Sequence, residues 1–396
     1  MCMGQVDILQ IAKQAEAARE KDARVINATI GMFYDEDRLI GGIPVVVDRI
    51  HHMPATDMLP YPSVDGGQRF KDNVIDWVLG DYKTSLTKHF FVDACATPGG
   101  SGAIATTFSV YGNPKDYIFV SDVRWQYDRF TDRAKLKIFE HHTFVNGHFD
   151  LDAFKTRLAE LCRLQKRVIV IINDPCHNPT GYTLSNEEWD GIIASLNIFT
   201  NNDIIFLYDL AYLEFSDEEN TRLKISKLTG FLDHVFIVIA FSGSKTFGVY
   251  GLRMGAAIGL GRTKSSVESF HSKYVNEARG SWSATPTISL SLFNFFAQKA
   301  QRESFMKSLN QAKKVVAKRS EIFKREAIEN ELETYPFSSG FYTIIKTKDP
   351  VGSFEKLSKK GIYTIPMTHG IRVALCSITI PEVTGLAAKI KQIINE

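Results

Sequence analysis

The 396-residue chain lacks most of the features that mark a specialised class. Its 47 Lys and Arg are nearly balanced by 45 Asp and Glu, a net charge of +2, so no basic field points to a nucleic-acid partner. It has only five cysteines: Cys2, Cys95, Cys162, Cys176 and Cys376. The number is odd and no Cys-x-x-Cys pair occurs, which argues against a disulfide framework or a structural zinc site and for reduced thiols. Cys176-His177 is too isolated to hold zinc. No apolar run approaches the roughly 18–20 residues of a membrane span. The opening "MCMGQVDILQIAKQAEAAREKD" has neither a long apolar core nor a small-residue cleavage site, and reads as an amphipathic helix rather than a signal peptide. The expectations are a soluble, cytoplasmic protein with no membrane or nucleic-acid partner.

What is present is an ordinary globular composition, 44% hydrophobic and 23% charged, long enough for a large core and two subdomains. Short apolar, β-branched runs alternate with helical patterns. Strand candidates are "KDYIFVSD" near Tyr117, "KRVIVIIND" near Val168, "NDIIFLYD" near Ile204, "HVFIVIAFS" near Val235 and "RMGAAIGL" near Met254. Between the second and third, Ser185 is a good N-cap, with Glu187 and Glu188 in the first turn of a helix. Apolar strands separated by helices predict an α/β protein with a parallel sheet covered on both faces. From about Leu290 a long helical stretch runs through "SLFNFFAQKAQRESFMKSLNQAKKVVAKRSEIFKREAIE", followed by strand candidates in "GFYTIIKT" and "GIRVALCSI". These, with the N-terminal helix, predict a smaller α/β domain of residues 1–45 and 290–396 beside a large domain of residues 46–289.

Ligands of open parallel sheets bind beyond the carboxyl ends of the strands. "RVIVII" is followed by "NDPCHNPTG", "IIFLY" by Asp209 and Tyr212, and "VFIVIAF" by Ser242, Gly243, Ser244 and Lys245. Three strands thus deliver an amide, a carboxylate and an amine to one rim. A lysine there is a solvated surface group, a point charge on phosphate, or an amine that forms a Schiff base. The last use implies an aldehyde cofactor, usually pyridoxal phosphate, with an anionic partner for its ring nitrogen and a phosphate cradle. Asp209 suits the ring nitrogen, or is a helix N-cap. "TPGGSGAIATTF" offers free N–H groups to a phosphate, or is a tight turn. Ser242 and Arg253 would complete the cradle, and Trp125 would stack on the ring or belong to the core.

The full stretch "SGSKTFGVYGLR" resembles the lysine motif of the class I/II aminotransferases, fold-type I pyridoxal-phosphate enzymes of the aspartate/aromatic aminotransferase type. Ser242, Ser244, Lys245, Gly248, Gly251 and Arg253 all match it. "HNPTG" at His177–Gly181 and "DLAY" at Asp209–Tyr212 match two further motifs in the family's order. The resemblance implies a mostly parallel seven-stranded sheet between helices, plus the smaller α/β domain. It implies pyridoxal 5'-phosphate linked to Lys245 as an aldimine, with the lysine later shuttling a proton. It pairs Asp209 with the ring nitrogen, Asn178 and Tyr212 with the phenolic oxygen, and Gly100, Ser101, Ser242, Ser244 and Arg253 with the phosphate. Tyr61, in "LPYPSVDGG", matches a tyrosine that reaches the phosphate of a neighbouring subunit, which implies a homodimer with shared active sites. Arg372 matches the arginine that grips the substrate α-carboxylate, and Ile30 and Gly31 fall where an N-terminal loop closes over substrate.

For the substrate, Arg279 and Trp282 in "EARGSWSATPTISL" resemble a pair in which a partner subunit's arginine binds a distal carboxylate. The family's Ser-Asn-Pro-Pro is here Ser283, Ala284, Thr285 and Pro286. Phe33, Trp282 and Tyr342 suggest an apolar wall for an aromatic side chain. The expected reaction is ping-pong transamination between aspartate or an aromatic L-amino acid and a 2-oxo acid such as 2-oxoglutarate. The alternative is a β-lyase or another reaction on the same scaffold. "GAAIGLG" is expected to be a strand rather than a dinucleotide loop. The doublets His51-His52 and His141-His142 are expected to be exposed.

Overall fold

The computed structural model describes residues 7–216 and 220–396; the start of the N-terminal pattern, with Cys2, lies outside them. All five strand candidates of the middle region form, at Tyr117–Ser121, Arg167–Asn173, Asp203–Leu210, Val235–Ser242 and Gly255–Gly261. The central three are buried almost end to end because helices cover both faces, so apolar runs rather than alternation encode them. "GAAIGLG" is the strand Gly255–Gly261, as expected.

Two strands without a clear apolar run complete a seven-stranded sheet. Phe91–Ala96 carries Asp93 in its middle, and Lys137–His141 is a partly exposed edge. The order is Phe91–Ala96, Gly255–Gly261, Val235–Ser242, Asp203–Leu210, Arg167–Asn173, Tyr117–Ser121, Lys137–His141. Gly255–Gly261 runs antiparallel to both neighbours and the remaining pairs are parallel. The register sets Asn173 opposite Asp209, and Asp209 opposite Ala240 two residues short of Ser242. The rim residues therefore line up at one end of the sheet.

Ser185 caps the helix Asn186–Asn197 through a full capping box with Glu188, a feature worth about 1 kcal/mol. The long helical stretch is two helices, Thr287–Phe296 and Lys299–Glu329. Gln298 between them is extended, with ψ 140°. The 31-residue second helix serves two cores. Phe305, Leu309 and Val316 pack with Trp77 and Phe293 in the main core. Phe323 and Ala327 pack with Ile345, Ile371 and Val373 in a second one. That second core lies on a three-stranded antiparallel sheet of Tyr342–Ile345, Gly370–Ala374 and Ile365–Met367. Ile26 and Asn27 pair in parallel with Ile362 and Tyr363, which ties the N-terminal arm to the C-terminal part.

One histidine departs from expectation. His51, His52 and His142 are exposed, but His141 is buried. It ends the edge strand facing inward, its ring 5.0 Å from Phe119 and against Phe149 and Phe154. His141 is the last residue of the strand Lys137–His141 and turns toward the core, while His142 lies just beyond the strand.

Candidate active site

The sheet rim, the helix Gly99–Tyr111, the arm segment at Ile30–Met32 and the strand carrying Arg372 enclose a cavity of about 290 Å³. Gly100, Ser101, Trp125, Asn178, Asp209, Tyr212, Ser242, Ser244, Lys245, Arg253, Ile30, Gly31 and Arg372 all line it, so the structure brings together thirteen residues singled out from the sequence. Tyr61 and Arg279 are not brought to this chain's cavity. Tyr61 is 98% exposed, and Arg279 lies exposed in the last turn of the helix Lys264–Ser281, bonding Ser283 Oγ at 3.2 Å. Of the three residues suggested as an apolar wall, only Tyr342 lines the cavity.

Lys245 follows directly from the strand Val235–Ser242 in a single helical turn, Gly243–Thr246. Its Nζ lies 5.7 Å from the Tyr212 ring centre and 5.4 Å from that of Tyr250. Burial, more than the nearby Arg253, lowers its pKa to about 8, so roughly a tenth of the amine is neutral at pH 7, far more than of a free lysine. Asp209 is the penultimate residue of the apolar strand Asp203–Leu210, and burial raises its carboxyl to about 6 against the opposing pull of Tyr127, the Ala211 backbone and Lys245. Tyr127 Oη donates to Asp209 Oδ2 at 2.7 Å, leaving Oδ1 without a partner among the described residues. Asn178 Nδ2 donates to Tyr212 Oη at 3.3 Å, and Asn178 Oδ1 likewise has no partner there.

At the other end, Pro98 provides no side-chain cap for the helix beginning at Gly99. Gly99 N donates to the Thr97 carbonyl at 2.7 Å, and Gly100 and Ser101, in the same first turn, line the cavity. Arg253, at φ 55°, donates through Nη1 to Ser244 Oγ at 3.2 Å and to the Tyr250 carbonyl at 2.9 Å. A Cβ at Gly99 would sit 2.5 Å from Arg253 Nη2, so only glycine lets the helix start approach this guanidinium. Arg372 Nη2 donates to the Thr29 carbonyl at 2.8 Å, its guanidinium lies 4.4 Å from the Tyr342 ring centre, and its Nε is unpartnered among the described residues. Gly31 is required by close approach: a Cβ there would fall 1.5 Å from Tyr342 Oη.

Three neighbours escaped the sequence reading. Asn173, the last residue of the run "RVIVIIN", accepts from Asn178 N at 2.8 Å and donates to the Asp209 carbonyl at 3.0 Å, so it locks two rim loops together. The strand-end rule that found Asp209 points to it equally. Tyr127 stands two residues beyond Trp125, their rings 5.4 Å apart and nearly perpendicular. Tyr250 lies inside the lysine motif, and its Oη accepts from Phe33 N at 2.7 Å.

The sequence model of the family "Aminotransferase class I and II" matches residues 24–390. The chain belongs to that family. An aminotransferase of solved structure from Anaerococcus prevotii is 30% identical, with a TM-score of 0.95 over 100% of this chain and 98% of that one. The aromatic-amino-acid aminotransferase of Pseudomonas aeruginosa is 32% identical over 230 residues, 57% of this chain and 56% of that protein. The aspartate aminotransferase of Salmonella typhi is 24% identical over 357 residues, 87% of this chain and 86% of that protein. The fold is shared with an aromatic-amino-acid aminotransferase of Burkholderia pseudomallei, solved with pyridoxal phosphate covalently bound (20% identity, TM-score 0.83, 99% of this chain and 98% of that one).

Pyridoxal 5'-phosphate is the cofactor of this aminotransferase family, and the cavity fits it on its own terms. A buried carboxylate oxygen and a buried amide oxygen lack donors that a protonated ring nitrogen and a phenolic hydroxyl would supply, and a helix start without a side-chain cap suits a phosphate.

Burial also sets the acid stability of the aminotransferase. His141 and His177 are both held neutral, their pKa lowered to about 4. Such groups contribute stability that is present above their unfolded value near 6.5 and is lost as pH falls toward 4. Asp209, raised to about 6, works the opposite way over nearly the same range, but it is one group against two. The melting temperature of the cofactor-free protein should therefore fall as pH drops from 6.5 to 4. A His141→Phe variant should show a shallower fall in the same thermal scans, and an equally steep one would contradict the assignment.

Proposed function

We propose that this protein moves the amino group of an L-amino acid to a 2-oxo acid such as 2-oxoglutarate, in two half-reactions at one site. The observation that carries the reading is the arrangement along the cavity: an amine held near pKa 8, a buried carboxylate with one free oxygen, and an arginine with a free Nε. When bound, the cofactor supplies an aldehyde carbon for the amino group and a ring that accepts the electrons of the Cα–H bond. The rest falls to the chain. Asn178, Tyr212 and Asp209 would hold the ring through hydrogen bonds, with Tyr127 fixing Asp209 in place. Gly100, Ser101, Ser242, Ser244 and Arg253 would hold the phosphate, and Trp125 would cover the ring and exclude water.

Arg372 would take the substrate α-carboxylate on Nε and its free η hydrogens, in the planar fork that guanidinium and carboxylate share. This sets the Cα–H bond near Lys245, whose neutral Nζ would take the proton and return it two bonds away, to the cofactor carbon on the other side of the amino nitrogen. Amino acid and oxo acid both carry the carboxylate that Arg372 reads, so each is expected to inhibit competitively at high concentration, as in ping-pong kinetics. The checking experiment is a donor screen with 2-oxoglutarate and added pyridoxal phosphate, scoring glutamate formed. Pyruvate or ammonia released without an oxo acid would favour a lyase instead.

The donor preferred is aspartate or an aromatic amino acid. Among the described residues, the cations lining the cavity are Lys245, Arg253 and Arg372, each with a role already, while Ile30, Met32 and Tyr342 also line it. A distal carboxylate would need a cation from elsewhere, and Arg279 of a second copy is the candidate. The exposed apolar residues Leu39, Leu59 and Tyr61 support a homodimer that would carry Arg279 and Tyr61 into the neighbouring site. Arg279→Ala should lower kcat/KM for aspartate about 10²-fold, the scale of a lost buried charge pair, and leave phenylalanine within about two-fold. An unchanged efficiency with aspartate would remove the carboxylate role.

A further inference from the structure

The arm segment Thr29–Phe33 contributes Ile30, Gly31 and Met32 to the catalytic cavity. It is a thin partition. Ile30 also borders a second, polar cavity of about 230 Å³, lined by Glu16, Arg19, Asn27, Tyr34, Arg38 and Ser377. Space therefore lies behind the segment as well as in front of it. Its first residue is anchored by Arg372 Nη2 on the Thr29 carbonyl at 2.8 Å, and its last by Tyr250 Oη on Phe33 N at 2.7 Å.

The next residues are held from the long helix by Arg319, whose side chain is fully buried. Arg319 Nε and Nη2 donate to Glu36 Oε1 at 3.0 and 2.6 Å. Nη2 also donates to the Tyr34 carbonyl, and Nη1 to the Cys376 carbonyl, both at 2.9 Å. The guanidinium lies 5.4 Å from the Phe33 ring centre. Glu36 Oε2 accepts from Ile380 N at 2.8 Å. One guanidinium thus joins the helix Lys299–Glu329, the arm and the chain just beyond the strand that carries Arg372.

We propose that Arg319, acting through Glu36, is a positioning residue for substrate: it latches the segment Thr29–Phe33 over the carboxylate end of the cavity. The inference rests on the transaminase reading for its kinetic consequence and on the hydrogen bonds alone for its structural one. Arg319 touches neither cofactor nor substrate. A guanidinium deprived of its carboxylate in a buried site turns to other acceptors or to water, and the arm loses its fixed distance from the helix. The segment can then back into the 230 Å³ space, and a substrate must order it again on binding. The phosphate holders Gly100, Ser101, Ser242, Ser244 and Arg253 lie on other elements, so cofactor affinity is not expected to change.

Glu36→Gln keeps the shape and removes the charge, at a partly exposed loop position where folding is safe. KM for the amino acid and for the oxo acid should each rise about ten-fold, the scale of one loop-ordering cost, with kcat within about two-fold. Amide hydrogen exchange across 29–33 should quicken about ten-fold, while the dissociation constant for pyridoxal phosphate stays within about two-fold. Arg319→Lys should behave alike if it folds. The exchange measurement reads the latch even if wild type transaminates no amino acid, which would sink the functional reading alone. Unchanged exchange across 29–33 in Glu36→Gln would overturn the latch. So would a KM rise matched by an equal loss of cofactor affinity, because that pattern marks general loosening.

Discussion

Replacing Lys245 with alanine should lower the amino-transfer rate by about 10⁴-fold or more, while the folded protein remains as stable as wild type. A positioned base alone contributes roughly 10²–10⁴, and this lysine is assigned the covalent attachment as well. The stability half of the prediction follows from burial. Nζ lies between the rings of Tyr212 and Tyr250, and its pKa is pulled down to about 8 mainly by desolvation. Folding therefore has to bury an amine that prefers water. The penalty is relieved above the unfolded value near 10.4 and present in full below about 8. Alanine removes the penalty and opens a small space, two effects of opposite sign. Thermal unfolding of the cofactor-free variant near pH 7 should thus show no large loss. A variant with full stability and activity within ten-fold of wild type would show that Lys245 is not the reacting amine.

Asp209→Asn should cost roughly 10²–10³ in kcat at saturating cofactor, the range found when one fixed electrostatic partner is removed. The change is nearly isosteric, and Tyr127 can still donate to the side-chain oxygen. What disappears is the charge opposite the ring nitrogen. In the cofactor-free cavity the carboxyl is raised to about 6, a penalty that a protonated ring nitrogen on the free Oδ1 would offset. The asparagine variant should therefore bind pyridoxal phosphate more weakly and yet melt no lower without it. Rates measured over a cofactor titration separate the two losses. If kcat at saturation is unchanged, the carboxylate is not needed for the proton transfer.

Much of this site was legible in the sequence because strands of a covered parallel sheet announce themselves as apolar runs, and the chemistry follows directly after them. Asp209, Ser242 and Lys245 are of that kind, and the motif "SGSKTFGVYGLR" added Arg253. The edge strands Phe91–Ala96 and Lys137–His141 were not legible, since a strand with one covered face or a charge in its middle has no continuous run. The break at Gln298 carries no proline or glycine to mark it. Tyr127 and Arg319 could not be found by pattern at all. Each is defined by a partner far away in the chain, Asp209 for one and Glu36 for the other. Buried polar residues of this sort look like any other helix or loop residue until the fold supplies the acceptor.

The central claim, that Lys245 carries the cofactor, is tested most directly by trapping. Wild-type protein incubated with pyridoxal phosphate is reduced with borohydride, digested, and searched by mass spectrometry for the added pyridoxyl phosphate. The account predicts one modified site, on the peptide containing Lys245, and its disappearance when an amino-acid donor is added before reduction. Modification at a different lysine, or none in a protein that binds the cofactor, would contradict it.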